Sequence, residues 1–133
     1  MIFYRSMTAA PDGLPTVGPS ARQLGLRRDV DVTCDIADVV LAGGLSVAPE
    51  TPWNLPPHRR PRRLGRASTG PDRDVVFEIG DGDLTRAQLA TTRDAVDHAL
   101  VRGDAACQFD ELVRRIERTR PSWTQWAENG AAE

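Results

Sequence analysis

A chain of 133 residues with 40% hydrophobic, 5% aromatic and 27% charged side chains has the balance of a globular domain with a modest core, and this excludes a disordered or collagen-like polymer. The formal net charge of -2 supplies no overall attraction to nucleic acid or anionic lipid, so binding of either would need a local patch. No apolar run approaches the roughly 18 residues of a spanning helix, and Arg5 interrupts the first apolar residues where a secretory signal needs an unbroken stretch. The expectation is one domain over residues 1–133, acting in a cytoplasm.

Lysine is absent and all 17 basic residues are arginine. Arginine grips anions bidentately, but together with abundant alanine, glycine and proline it also reflects GC-rich codons. Cys34 and Cys107 stand apart from each other and from histidine, which argues against a zinc site and for small buried thiols. No metal is expected.

In chain order, Ile2 to Ser6 reads as a short strand with Ile2 and Tyr4 on one face and Phe3 and Arg5 on the other. An arginine beside a phenylalanine is costly to bury unless acceptors meet it. The segment from Gly13 to Arg28 reads as loop, with Ser20 suited to cap a helical turn. Asp29 to Leu41 alternates weakly, placing Val30, Val32 and Cys34 on one side of one or two short strands. Gly43 and Gly44 then permit a tight bend, and Leu45, Ser46 and Val47 form a strand that carries a hydroxyl just past it.

Five prolines between Pro49 and Pro61 remove backbone donors and forbid regular structure, while Trp53, Asn54, Leu55 and His58 among them mark an ordered loop rather than a spacer. Arg59, Arg60, Arg62, Arg63 and Arg66 follow as a candidate anion site or a solvated surface run, the latter the preferred reading for Arg62, Arg63 and Arg66. Val75 to Ile79 is the clearest strand. Asp83 is placed to cap a short helix through Leu84, Ala87 and Leu89; around His98 the run DAVDHALV suits either a continued helix or a short strand, with a strand from about Asp97 to Val101 the preferred reading. Phe109, Leu112, Val113 and Ile116 have the spacing of an amphipathic helix, whose packing face Trp123 and Trp126 are expected to extend.

The segments FYR at Phe3 to Arg5, GLPTVGPSARQLG at Gly13 to Gly25, GGLSVAP at Gly43 to Pro49, NLPPHRRP at Asn54 to Pro61 and VVFEI at Val75 to Ile79, with His98 and the closing helix, together resemble one family. It is the type VI secretion exported effector two toxins, bacterial proteins with an ADP-ribosyltransferase-like fold. The resemblance spans nearly the whole chain, and the proline-histidine-arginine block is its most specific part.

What the resemblance implies is an α+β fold, with a compact split antiparallel or mixed β-sheet core, short flanking helices and a long Pro/Arg-rich loop. It implies a toxin that uses NAD to modify a cytoplasmic macromolecule and is held inactive by a cognate immunity protein. Arg5 then resembles the guanidinium that holds the dinucleotide, Ser46 the hydroxyl of the ribose pocket and His98 a histidine near the last strand; these are the expected catalytic residues. Tyr4, Gly44, Asn54, His58 and Arg59 are expected to bind the dinucleotide. The chain departs from many ADP-ribosyltransferases in lacking a convincing E-x-E or Q-x-E loop, because Asp110 and Glu111 fall within the amphipathic helix. A different reading makes the chain a non-enzymatic module whose arginines from Arg59 to Arg66 contact the phosphates of a nucleic acid or a protein partner.

Overall fold

The computed structural model describes residues 1–128. Its strands are β1 (Ile2–Thr8), β2 (Val32–Cys34), β3 (Val40–Gly43), β4 (Leu45–Pro49), β5 (Asp74–Gly80), β6 (Leu89–Ala95), β7 (His98–Gly103) and β8 (Thr124–Gln125); its helices are α1 (Asp81–Arg86) and α2 (Phe109–Arg118). Six strands form one sheet in the order β6-β7-β4-β1-β5-β8, and β2 and β3 form a separate ribbon. Each pair of these strands is antiparallel, so the sheet is antiparallel rather than mixed. The fold is α+β, mostly antiparallel sheet with few helices and several short 3-10 turns.

Strand β1 organises the rest because both of its faces are covered. Phe3 and Met7 enter the larger apolar cluster with Leu45, Val47, Phe77 and Ile79, whereas Tyr4 enters a second cluster with Ala48, Leu55, Leu64 and Val76. The two-residue side-chain period of a strand produces this division, and burial on both sides explains why alternation in IFYRSM is faint. Each fully buried Leu, Val, Ile or Phe of these clusters contributes about 1.5–3 kcal/mol by area. Leu112 and Ile116 lay the apolar stripe of α2 on the larger cluster.

The register contains the feature that positions the site. Strand β1 pairs with β5 over seven residues, from Ile2↔Gly80 to Thr8↔Asp74, but with β4 only at Phe3↔Pro49 and Tyr4↔Ala48. Beyond Tyr4 the two strands part. Strand β4 continues alongside β7, through Val47↔Ala99, Ser46↔Leu100 and Leu45↔Val101, while β1 stays with β5. The sheet is therefore forked between Arg5 and Ser6 on one arm and Ser46 and Val47 on the other.

Several local expectations are corrected. No helical turn begins at Ser20; its hydroxyl instead accepts from the Arg22 N–H at 3.0 Å in an irregular loop. Asp83 lies inside the first turn of α1, whose N-cap is Gly80, and Leu89 belongs to β6. Val30 is exposed rather than aligned with buried Val32. Trp123 is buried against α2 as expected, its indole N–H donating to Thr119 at 2.9 Å. Trp126 leaves that face and joins Trp53 beside the second cluster. Cys34 and Cys107 are free and half-buried. No helix among the described residues is long and apolar enough to cross a membrane.

Candidate functional site at the fork of the sheet

The fork opens into a cavity of about 220 Å³. Its walls come from both arms of the fork and from the segments beside them: Arg5 and Ser6 of β1, Ser46 and Val47 of β4, Asn54 and His58 of the proline loop, and His98 at the start of β7. Arg59 closes one side, and Arg27 and Asp31 stand at another.

Two arginines replace the hydrogen bonds that the parting strands lose. Arg5 donates from Nη1 to the Ser46 carbonyl at 2.8 Å and from Nη2 to the carbonyls of Gln23 and Ser20 at 2.9 and 3.4 Å. Arg59 donates from Nη2 to the Ser6 carbonyl at 2.9 Å and the Ala21 carbonyl at 2.7 Å. Each arm of the fork thus has a carbonyl capped by an arginine, which meets the requirement that buried backbone groups be paired. Both arginines also tie the fork to the loop between Ser20 and Gln23, and that explains how an irregular segment stays ordered beside the sheet.

Burial, reinforced by the positive charge of Arg59, pushes the Arg5 guanidinium down to about 9, still above neutral pH, so it remains a cation. Burial likewise lowers Arg59, with Asp74 opposing the effect. Two buried polar atoms of these β1 residues have no partner: Arg5 Nε and Ser6 Oγ. An unpaired buried polar atom is costly, and these two fall on successive residues of β1, whose side chains leave opposite faces of the strand.

Arg27 forks Asp31, with Nη2 to Oδ1 at 2.8 Å and Nε to Oδ2 at 3.1 Å, and the Arg27 backbone N–H adds a bond of 2.7 Å. Burial works to raise the Asp31 pKa, but these bonds outweigh it and hold the carboxyl below its ordinary range. On the opposite lip, His98 Nδ1 lies 2.7 Å from Asp94 Oδ1 within the β6–β7 hairpin. The register of that hairpin shifts between Arg93 and Ala95, the kind of irregularity that redirects a side chain. Arg93 braces the hairpin against Glu50 of the loop after β4 and against the Ala95 and Val96 carbonyls.

Of the residues singled out in the sequence, Arg5, Ser46, Asn54, His58, Arg59 and His98 are brought together around this cavity. Asn54 shapes the loop by donating to the Pro49 carbonyl at 2.8 Å. Two do not join them. Tyr4 lies in the second apolar cluster, because its position in β1 turns it to that face of the sheet. Gly44 is buried where a Cβ would overlap the Val101 carbonyl, so its smallness serves the close approach of β4 to β7 and not a ligand. Arg5, expected to grip a ligand with its guanidinium, has both terminal nitrogens committed to backbone carbonyls and retains only Nε. The sequence did not single out Ser6, Arg27, Asp31 or Asp97, which also line the cavity; the four-residue spacing of Arg27 and Asp31 across a turn was the available signal.

Part of the arginine run is built into the loop, while Arg62 and Arg66 stay exposed. Arg60 is buried and donates to Ser68 Oγ at 3.0 Å and to the carbonyls of Trp53, Leu55 and Arg66 at 3.1, 2.9 and 2.9 Å. Arg66 stacks over Trp53 at 4.1 Å, and Trp126 meets the same indole edge-on at 6.1 Å. Arg63 donates to the Asp74 carbonyl at 2.8 Å and Arg62 lies 3.8 Å from Asp72. Asp74 is fully buried and held by Arg22, with contacts of 2.9 and 3.0 Å from Nε. Among the described residues no cluster of three or more metal-ligating side chains occurs. No family model, no curated protein and no solved structure matches this chain.

Proposed function

We propose that the forked cavity binds the nicotinamide-ribose end of NAD and that the protein is a toxin enzyme of the ADP-ribosyltransferase type. The observation that carries the reading is the convergence of a hydroxyl from β4, an imidazole from β7 and two carbonyl-capping arginines where the sheet splits. A split antiparallel sheet with a ligand between its arms is the architecture that the resemblance to the exported effector two toxins implies. At about 220 Å³ the cavity is smaller than the roughly 300–1,000 Å³ typical of pockets that enclose a drug-sized ligand, so it takes one end of the dinucleotide and leaves the rest at the surface.

Bond cleavage at the ribose carbon releases nicotinamide with the bonding electron pair, and an acceptor oxygen or nitrogen forms the new bond and loses a proton. In this reading Ser46 hydrogen-bonds the ribose, Arg5 and Arg59 hold the walls in place and supply positive potential, and Arg27 lies at the side open to the diphosphate. His98 stands at the lip where an acceptor arrives. A toxin of this kind acts on a macromolecule in a bacterial cytoplasm and is neutralised by a dedicated immunity protein. The commitment of Arg59, Arg60 and Arg63 to carbonyls within the protein counts against the phosphate-patch reading.

Expression in a susceptible bacterium tests the proposal. The native chain should arrest growth, and Ser46→Ala or His98→Ala, both at partly exposed side chains, should restore growth while the purified variants keep a native circular dichroism spectrum. Full toxicity of both variants would remove the site from consideration.

A further inference from the structure

The contact between His98 and Asp94 specifies which nitrogen of the imidazole carries the proton. A hydrogen bond from His98 is the largest influence on Asp94, holding its carboxyl below the ordinary range, so at neutral pH it is a carboxylate and accepts only. The short Nδ1 to Oδ1 distance of 2.7 Å therefore places the ring proton on Nδ1. In a neutral imidazole this leaves Nε2 with its lone pair bare.

We propose that Asp94 is a positioning residue that presents His98 Nε2 to the cavity as a proton acceptor, and that the acceptor of ADP-ribose is a group that must lose a proton, such as the O–H of water or a hydroxyl, rather than a carboxylate. The inference rests on the NAD reading above. An O–H group needs a base at neutral pH, whereas a carboxylate acceptor has no proton to lose. The oxygen bonds to the ribose carbon as the bond from that carbon to the nicotinamide nitrogen breaks; nicotinamide leaves with the electron pair and the O–H proton passes to Nε2.

The hairpin is constructed to hold this arrangement. The register shift between Arg93 and Ala95 accompanies Asp94, and Arg93 fastens the same turn to Glu50. Other charged groups around His98 are Asp97 on its own hairpin and, across the cavity, Arg5, Arg27 with Asp31, His58 and Arg59. Asp31 is fully engaged by Arg27, so among these carboxylates Asp94 is the one that reaches the imidazole.

Nitrogen-15 NMR of the purified protein reads the His98 tautomer directly, and nicotinamide release from NAD reads the rate. The native protein should show the Nδ1–H tautomer. Asp94→Asn and Asp94→Ala should lose that preference and lower kcat about 10–100-fold with little change in KM, the scale for an outer partner of a functional histidine, while Asp94→Glu regains most of the rate. Native tautomer and kcat in both Asp94→Asn and Asp94→Ala, with His98→Ala inactive, would overturn the role of Asp94 and leave the NAD site intact. Full nicotinamide release by His98→Ala would overturn the site assignment as well. Modification found only on a carboxylate side chain would overturn the choice of an acceptor that must lose a proton.

Discussion

Arg5 Nη1 lies 2.8 Å from the carbonyl oxygen of Ser46, across the point where β1 and β4 stop pairing. A side chain from one arm of the fork thus supplies a hydrogen bond that a continuous ladder would have supplied from its backbone. The clasp keeps the Ser46 region in place without closing the gap beside it, and the gap is the candidate site.

Replacing Arg5 should therefore affect stability before chemistry. Arg5→Ala leaves the carbonyls of Ser46 and Gln23 without their donor, and at about 1–3 kcal/mol for each unsatisfied group the loss should be about 3 kcal/mol in urea denaturation. Arg5→Lys keeps a cation but has no planar fork, and should recover less than half of that. A loss below about 0.5 kcal/mol for Arg5→Ala would show that the clasp does not hold the fork.

The arginines of the proline loop should divide sharply. Arg60, buried with hydrogen bonds to four different residues, should cost about 3 kcal/mol or more on substitution by alanine, because a hydroxyl and three carbonyls lose their donor at about 1–3 kcal/mol for each group left buried and unpaired. Arg62, whose side chain is 66% exposed, should change stability by no more than about 0.5 kcal/mol. Retention on immobilised RNA or DNA should be weak and unchanged by Arg62→Ala. A large loss of retention would instead favour a phosphate-binding surface.

Gly44→Ala places a methyl group against the Val101 carbonyl, where the obstacle is backbone and cannot swing aside. A destabilisation of about 1–3 kcal/mol or more is expected, with shifts of β4 and β7 amide signals by NMR. A variant of native stability with weakened NAD binding would point to a ligand contact at Gly44.

Acid should weaken the fold through carboxylates whose folded pKa is depressed. Hydrogen bonds hold Asp12 and Glu111 down, chiefly from Arg120 and Arg115 respectively, and Asp31 is held down by Arg27 against the opposing effect of burial. Unfolded Asp and Glu titrate near about 3.9 and 4.3. The stabilisation from these groups is present above those values and disappears as pH falls through the lower folded ones. Urea midpoints should accordingly be flat from pH 7 to about 5 and drop below about 4, with a shallower drop in Asp31→Asn.

Parts of this structure were legible in the chain because single segments determine them. The β-prone runs at Ile2 and Val75 and the helical spacing of Phe109, Leu112, Val113 and Ile116 are local patterns, and each became the expected element. Strand β6 was hidden because Thr91, Thr92 and Arg93 are stabilised by their pairing with β7 rather than by a buried face of their own. Trp126 was misread because the break after α2 carries the chain to the other side of the sheet, which helical periodicity does not foresee. No local pattern locates the fork, since it depends on where two distant strands cease to pair; a split sheet is expected from the resemblance alone. Arg5 looked like a ligand grip, and only its backbone partners reveal it as a clasp.

Release of nicotinamide from NAD by the purified protein, supplied with a bacterial cytosolic extract as a source of acceptors, tests the central claim most directly. The account predicts release by the native chain and a loss of about 100-fold or more in folded Ser46→Ala and His98→Ala, within the range for removing a transition-state donor or a general base. Release at the native rate by both variants, or none by the native protein, would contradict it.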